Sequence, residues 1–139
     1  MKYPDAESYR NTSLSKLLKD RDRIPYPIAD LYDKCSIESL KNIRASSDNW
    51  AFLDTLRRAL ITEPNYDPDL YVQLQEINGR IWDLESDIRK GKEGELGLEE
   101  VGRRAIAIRN INGERIALKQ KIAELHGEYA EKKYNHASE

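Results

Sequence analysis

Cysteine and long apolar runs are what this sequence most plainly lacks. Cys35 is the only cysteine among 139 residues, so the chain cannot form an internal disulfide bond. No stretch approaches the roughly 20 apolar residues that a membrane-spanning helix needs, and no segment near the N-terminus resembles a signal peptide. These absences predict a soluble protein of a reducing compartment, which is the cytoplasm, or the host cytoplasm if the chain is viral.

An excess of either charge is also lacking. The chain has 23 basic and 25 acidic residues, and its longest basic runs are the pairs Arg103-Arg104 and Lys132-Lys133. Nucleic-acid-binding proteins present a basic patch or stripe, whereas here the two signs alternate locally. The sequence therefore predicts a solvated helical surface, with no nucleic-acid partner and no membrane partner.

Signatures of catalysis and of metal binding are missing as well. His126 and His136 lie ten residues apart, and together with Cys35 they form none of the usual metal-ligand spacings. The three glycines within residues 91–97 do not end in the Gly-Lys-Ser/Thr of a phosphate-binding loop. Cys35 lies on the apolar side of a predicted helix, which is typical of a small core residue rather than a nucleophile. We therefore expect no catalytic residue, no metal and no cofactor.

A helical repeat dominates the second half of the chain. Apolar residues alternate four and three apart at Leu70, Leu74, Ile77, Ile81, Leu84 and Ile88. A second series lies at Ile108, Ile111, Leu118, Ile122 and Leu125. Because a seam that repeats every seven residues is buried against another helix, these series predict a long antiparallel helical hairpin of the coiled-coil type.

Capping signals set the expected bounds of the two long helices. Asp67-Pro68-Asp69 offers a capping carboxylate, a proline suited to the first helical position and an acid in the first turn. We expect this helix to run to about Lys90 and its partner to run from Leu98 to Tyr129 or beyond, with the glycines of residues 91–97 between them.

Two shorter helices are expected before the hairpin. One has Pro27 at its first position and runs to about Arg44, with an apolar side that includes Ile43. The other follows the Ser46-Ser47-Asp48 loop and is ended by Thr62-Glu63-Pro64. The predicted fold class is all-α, with one helical domain at residues 28–134, an N-terminal arm at residues 1–27 that packs on it, and a frayed tail at residues 135–139.

The last predicted helix carries a second stripe on another side. The stripe contains small and apolar residues, namely Gly102, Ala105, Ile106, Gly113, Ile116 and Ala117. We expect the two shorter helices or another subunit to cover it. Glycine is unfavourable inside a helix, so Gly79, Gly102 and Gly113 predict points where two helices approach closely.

Polar residues interrupt the predicted hairpin. Arg115 occupies a seam position with Asn112 and Lys119 nearby, and one flank of the other helix carries Asn78, Trp82, Glu85 and Arg89. One interpretation is a cleft that binds a carboxylate, a phosphate or sugar hydroxyls, with Trp82 as a stacking platform. The other is structural: Arg115 pairs with an acid, Trp82 is a core-edge aromatic, and Asp33, Lys34, Glu38 and Lys41 form a solvated ion-pair face.

Four segments resemble a family of small uncharacterised all-helical proteins of bacteria and phages, often encoded near glycosyltransferase and surface-polysaccharide genes. The resemblance lies in residues 28–38, 76–89, 112–119 and 131–134. It implies an all-helical fold and marks as motif positions Asp33, Lys34, Asn78, Trp82, Glu85, Arg89, Asn112, Arg115 and Lys119. Cys35 and the first 27 residues depart from the family pattern, which leaves room for a different partner.

Three functions are compatible with these observations. The sequence favours a noncatalytic accessory or assembly protein that forms a homo-oligomer or binds another helical protein. The alternative is a binder of a sugar nucleotide or another small anionic metabolite in a polar cleft of the hairpin, formed by the motif positions. The third is a small all-helical enzyme of the chorismate-mutase type, in which Arg115 and Lys119 stabilise transition-state charge.

Overall fold

The computed structural model of the protein describes residues 24–128. Within this range the chain forms helices and no strand, which confirms the all-α class. The helices are α1 (Ile28–Ala45), α2 (Trp50–Ile61), α3 (Pro68–Arg89), α4 (Glu93–Leu96) and α5 (Leu98–Leu125). Most of the predicted N-terminal arm, the predicted tail at residues 135–139 and the motif at residues 131–134 lie outside the described residues.

Helix α3 begins where its capping residues predict. The side chain of Asp67 accepts hydrogen bonds from the backbone N–H groups of Asp69 and Leu70, at 2.9 and 3.2 Å. Pro68 occupies the first helical position, where its missing N–H costs nothing. The helix ends at Arg89, one residue before the expected end.

Helix α5 ends earlier than expected, so the prediction that it reaches Tyr129 is wrong. Gly127 has a φ of +70°, a left-handed conformation that stops the helix. The N–H of Glu128 then donates to the carbonyl of Ala123 at 2.8 Å, and the N–H of Gly127 donates to Glu124 at 3.1 Å. These two bonds form a Schellman motif, which satisfies the last carbonyls of the helix without further turns.

Helix α1 is central to the fold because it packs against α2, α3 and α5. The fully buried side chains on α1 include Leu31, Tyr32 and Cys35, and they meet Leu56 of α2 and Leu74 of α3. Each aliphatic side chain that is removed from water in this way contributes about 1.5–3 kcal/mol. The core therefore lies around α1, not only along the seam between the two long helices.

The two long helices, α3 and α5, pack against each other. Arg80 lies 3.6 Å from Glu114, and Asp87, later in α3, lies 3.7 Å from Arg104, earlier in α5. The two ion pairs therefore run in opposite order along the two helices. Leu125, the last residue of the expected seam, is exposed because the helix α5 ends at this residue. Ile43, expected on the apolar side of α1, is likewise exposed in its last turn.

The three glycines inside helices differ in their surroundings. A Cβ at Gly79 would lie 3.1 Å from the Nη2 atom of Arg44, and its three nearest neighbours are all guanidinium atoms of that side chain, so the glycine meets a side-chain tip rather than a helix backbone. A Cβ at Gly102 or Gly113 would meet nothing within 4 Å among the described residues. The predicted close approach at those two positions is therefore wrong for the single chain, because both face away from α1 and α3.

Candidate functional site

A buried polar network around Asp33 connects three helices. Asp33, on α1, is only 6% exposed. The guanidinium of Arg115, on α5, donates to both of its carboxylate oxygens, with Nε at 3.1 Å from Oδ1 and Nη2 bonded to Oδ2. The Nδ2 atom of Asn78, on α3, donates to Oδ1 at 3.0 Å and to the Ser36 hydroxyl at 2.6 Å. Arg115 therefore holds an acid from another helix, as the structural interpretation of its seam position predicts.

Lys119 adds a second positive charge to this network. Its Nζ atom lies 2.7 Å from Oδ1 of Asp30 and 3.7 Å from Oδ2 of Asp33. Arg115 and Lys119 lie one turn apart on α5, so together they anchor that helix to α1. The positive charges of Arg115 and Lys119 are therefore paired with acids of the same chain.

The expectation of a solvated face around Asp33 and Glu38 is wrong for both acids. Glu38 is only 5% exposed, because α2 and the loop before it cover this side of α1. Burial raises the pKa of the Glu38 carboxyl, but hydrogen bonds from Asn49, Lys41 and Lys34 outweigh it, so the pKa is lowered overall. Lys34 also lies with its Nζ atom 5.9 Å from the centroid of the Phe52 ring.

Cys35 is buried in the core beside Tyr71, whose hydroxyl lies 3.8 Å from its Sγ atom. Burial raises the pKa of the Cys35 thiol to about 11. Because the thiolate is the nucleophilic form of cysteine, this side chain is poorly suited to nucleophilic catalysis at neutral pH.

A cavity of about 430 Å³ opens beside the Asp33 network, between α1, α3 and α5. We call it the α1–α3–α5 cleft. Six of the nine motif positions line it, namely Asn78, Trp82, Glu85, Arg89, Asn112 and Arg115. The remaining three, Asp33, Lys34 and Lys119, do not line it.

The cleft is rich in cations and has an apolar wall. Its lining includes a single acid, Glu85, and five basic residues, of which the sequence did not indicate Lys41, Arg44 and Lys90. Ile37, Lys41 and Arg44 are spaced four and three apart on α1, so helical periodicity could have placed them on one face. That this face of α1 meets α3 and α5 follows only from the tertiary structure.

Several polar groups in the cleft have no partner in the part of the chain that the structure describes. These are the indole N–H of Trp82, the amide of Asn112 and the ammonium of Lys90. Arg89 holds Glu85 at 2.8 Å, and Arg44 donates to the carbonyl of Gly79 and to the carboxylate of Asp83. The cleft therefore offers an aromatic ring, an amide and unused N–H donors to a small molecule.

A second surface of interest runs along α5 on the side away from α1 and α3. We call it the outer face of α5, and it comprises Leu98, Gly102, Ala105, Ile106, Gly113, Ile116 and Ala117. Leu98 is 87% exposed, Ile106 is 53% exposed and Ile116 is 44% exposed. Within residues 24–128 no other helix covers this face, so the expectation that the two shorter helices cover it is wrong.

Neither surface contains a metal site. Among the described residues no cluster of three or more His, Cys, Asp and Glu side chains could hold a metal ion. In the same part of the chain, every helix is too short or too polar to cross a membrane.

Comparison with known proteins adds no assignment. No protein-family model, no curated protein and no solved structure matches this chain. The resemblance to small helical proteins of bacteria and phages therefore stays a prediction from the sequence, as do the roles of its motif positions.

Proposed function

We propose that the protein is a helical assembly module that associates with a second copy of itself through the outer face of α5. The observation that carries this proposal is the exposure of Leu98, Ile106 and Ile116 on one side of a long helix. Exposed apolar side chains on one side of a helix favour association, because leaving them in water is unfavourable; the exposed Arg109 lies on the same side, between Ile106 and Gly113.

The small residues of the outer face support packing against another helix. Gly102, Ala105, Gly113 and Ala117 are all exposed, and they lie between the larger apolar side chains. Such residues let two helix backbones approach closely, so that Ile106 and Ile116 can fit between them. The face extends about 30 Å at 1.5 Å per residue, which is long enough for several turns of contact.

Charge complementarity supports a second copy of the chain as the partner. Glu99 and Lys121 lie at equal distances along α5 on either side of Asn110, at one edge of the outer face. A two-fold axis at Asn110 would place two α5 helices antiparallel, with Glu99 of each beside Lys121 of the other. Lys121 forms no ion pair within residues 24–128, and Glu99, whose side chain is 88% exposed, pairs with Arg103 of the same helix at 2.9 Å.

The enzyme of chorismate-mutase type is not favoured by this geometry. It would require Arg115 and Lys119 to meet a substrate. Both side chains instead hold Asp33 and Asp30. Freeing them would leave the buried carboxylate of Asp33 without its charged partners, at a cost of several kcal/mol.

Light scattering coupled to size-exclusion chromatography tests the proposal. We expect the two copies to associate with a Kd of about 1 µM, so that most of the wild-type chain is a dimer at about 50 µM. Ile106→Lys should give a monomer, because it places a charge in the centre of the apolar face. Val72→Lys is the matched control, since Val72 is 58% exposed but lies on α3, and this variant should remain a dimer.

A charge exchange tests the two-fold arrangement. Lys121→Glu alone should weaken the dimer, because it places acids opposite one another. The double variant Glu99→Lys/Lys121→Glu should restore it. A wild-type monomer at about 50 µM, or a dimer that survives Ile106→Lys, would refute association through this face.

A further inference from the structure

We infer that the α1–α3–α5 cleft binds a small anionic ligand with a planar ring, of the nucleoside mono- or diphosphate class. This inference is separate from self-association, because the cleft and the outer face of α5 share no residue. The cleft volume of about 430 Å³ lies within the range of about 300–1,000 Å³ that small-ligand pockets occupy.

The ring-binding part of the cleft is formed by Trp82 and its apolar neighbours. Trp82 is partly exposed and lines the cleft together with Ile37, Leu40 and Ile81. Its indole N–H has no acceptor among residues 24–128 and is open to solvent, so it is available to a ligand. The ring can stack on a planar group, and its N–H and the free amide of Asn112 can bond to heteroatoms of that group.

The anion-binding part of the cleft lies two helical turns further along α3. Arg89 and Lys90 follow Trp82 by seven and eight residues, so their backbones lie about 10–12 Å further along the helix axis at 1.5 Å per residue. Arg44, from the end of α1, also lines the cleft, but its guanidinium binds the carbonyl of Gly79 and the carboxylate of Asp83, at the level of Trp82, so the anion-binding part consists of Arg89 and Lys90. Arginine and lysine side chains are the usual partners of phosphate oxygens.

The residues between these two parts suit a hydroxylated group. Glu85 and Ser86 lie between Trp82 and Arg89 on α3, and both line the cleft. A carboxylate accepts hydrogen bonds from sugar hydroxyls, and a serine hydroxyl can donate or accept them. Along α3 the cleft therefore presents first an aromatic ring, then groups that can bind hydroxyls, and finally cations. A nucleoside phosphate has the same order of base, sugar and phosphate, and it can span this distance.

The charge of the cleft favours an anion through Lys90. The other four basic lining residues already pair with acids of the chain, namely Arg115 with Asp33, Lys41 with Glu38, Arg44 with Asp83 and Arg89 with Glu85, whereas Lys90 has no ion pair among residues 24–128. Inorganic phosphate would use the cations without the ring. The cations of the last helical turns also offset the negative ends of the α1 and α3 dipoles, so the test must separate binding from stability.

Fluorescence titration provides the direct test, because the chain has two tryptophans, Trp50 and Trp82. In a Trp50→Phe variant, ADP and UDP should change the emission of Trp82 in a saturable manner. Adenosine, uridine and inorganic phosphate should each bind at least about tenfold more weakly than the nucleotides, since each lacks one end of the ligand. The Ile106→Lys background shows whether binding is independent of assembly.

Calorimetric titration with ADP and UDP locates the site by comparing matched variants. Lys90→Glu should weaken binding about tenfold or more, whereas Lys92→Glu should leave it unchanged, because Lys92 lies two residues away but does not line the cleft. Trp82→Leu should weaken nucleotide binding and leave the weak binding of inorganic phosphate unaffected. Circular dichroism during thermal unfolding verifies that each variant is folded.

Three results would overturn the inference. The first is no binding of ADP or UDP at about 1 mM, where even a weak ligand of about −4 kcal/mol would be half bound. The second is inorganic phosphate binding as tightly as the nucleotides, which would leave the ring without a role. The third is an equal effect of Lys90→Glu and Lys92→Glu, which would indicate nonspecific attraction.

Discussion

Replacing Asp33 with asparagine tests whether the polar network holds the three main helices together. The substitution removes the negative charge but keeps the size and shape of the side chain. The guanidinium of Arg115, which now donates to both carboxylate oxygens, would lose its counter-charge and face an amide. Asn78 would keep its hydrogen bond to Ser36 at 2.6 Å.

The structure sets the size of the expected effect. Removing one member of a buried ion pair costs about 3–5 kcal/mol, because the other charge stays buried without compensation. Arg115 is 24% exposed in its side chain and Lys119 retains Asp30 at 2.7 Å, so water and Asp30 reduce the cost. We therefore expect about 3 kcal/mol of lost stability, which corresponds to a fall in Tm of about 10 °C for a domain of this size.

A double-mutant cycle in urea measures the coupling directly. The cycle compares Asp33→Leu, Arg115→Leu and the double variant. Asp33→Leu leaves the guanidinium of Arg115 without its counter-charge, and Arg115→Leu leaves Asp33 with only the more distant Lys119, at 3.7 Å. The double variant removes both charges, so it should cost at least about 2 kcal/mol less than the sum of the singles. Glu114→Gln is the control, because the exposed pair of Glu114 and Arg80 should contribute under about 1 kcal/mol.

The reasoning fails if the two substitutions are additive within about 0.5 kcal/mol. It also fails if Asp33→Asn lowers the free energy of unfolding by less than about 1 kcal/mol, since a solvated pair would give that result. Either outcome would mean that the contacts of Asp33 contribute little to joining α1 and α5.

Two further predictions concern Glu38 and the helical glycines. The lowered pKa of Glu38 means that the unfolded chain binds more protons than the folded chain as the pH falls. The stabilisation from Glu38 is therefore complete above the unfolded pKa of about 4.3 and is lost as the pH falls through the folded pKa. In urea denaturation between about pH 5 and pH 3, the wild type should lose more stability than Glu38→Gln, and equal losses would contradict this. Gly113→Ala should stabilise the dilute monomer by about 0.8–1 kcal/mol through helix propensity, because its new Cβ meets nothing within 4 Å. Gly79→Ala should stabilise the protein by less than Gly113→Ala, because its new Cβ would lie 3.1 Å from Arg44. A larger increase in stability from Gly79→Ala than from Gly113→Ala would refute the argument.

The candidate site was only partly accessible to sequence reasoning. Helical spacing placed Asn78, Trp82, Glu85 and Arg89 on one flank of α3, and these residues do line one cleft. The same reasoning did not connect Lys41 and Arg44 with that flank, because they lie on another helix. It also assigned Glu38 to a solvated face, since ion-pair spacing alone does not reveal which helix covers the pair.

The sequence by itself determined the local features of the protein. Apolar periodicity and the cap at Asp67 act within a few residues, so they specify the helical class and the start of α3 without any distant contact. The tertiary structure decided which charges are buried and where a cleft forms. The bond between Asp33 and Arg115 joins positions 82 residues apart, and such a pair depends on which helix faces meet in three dimensions.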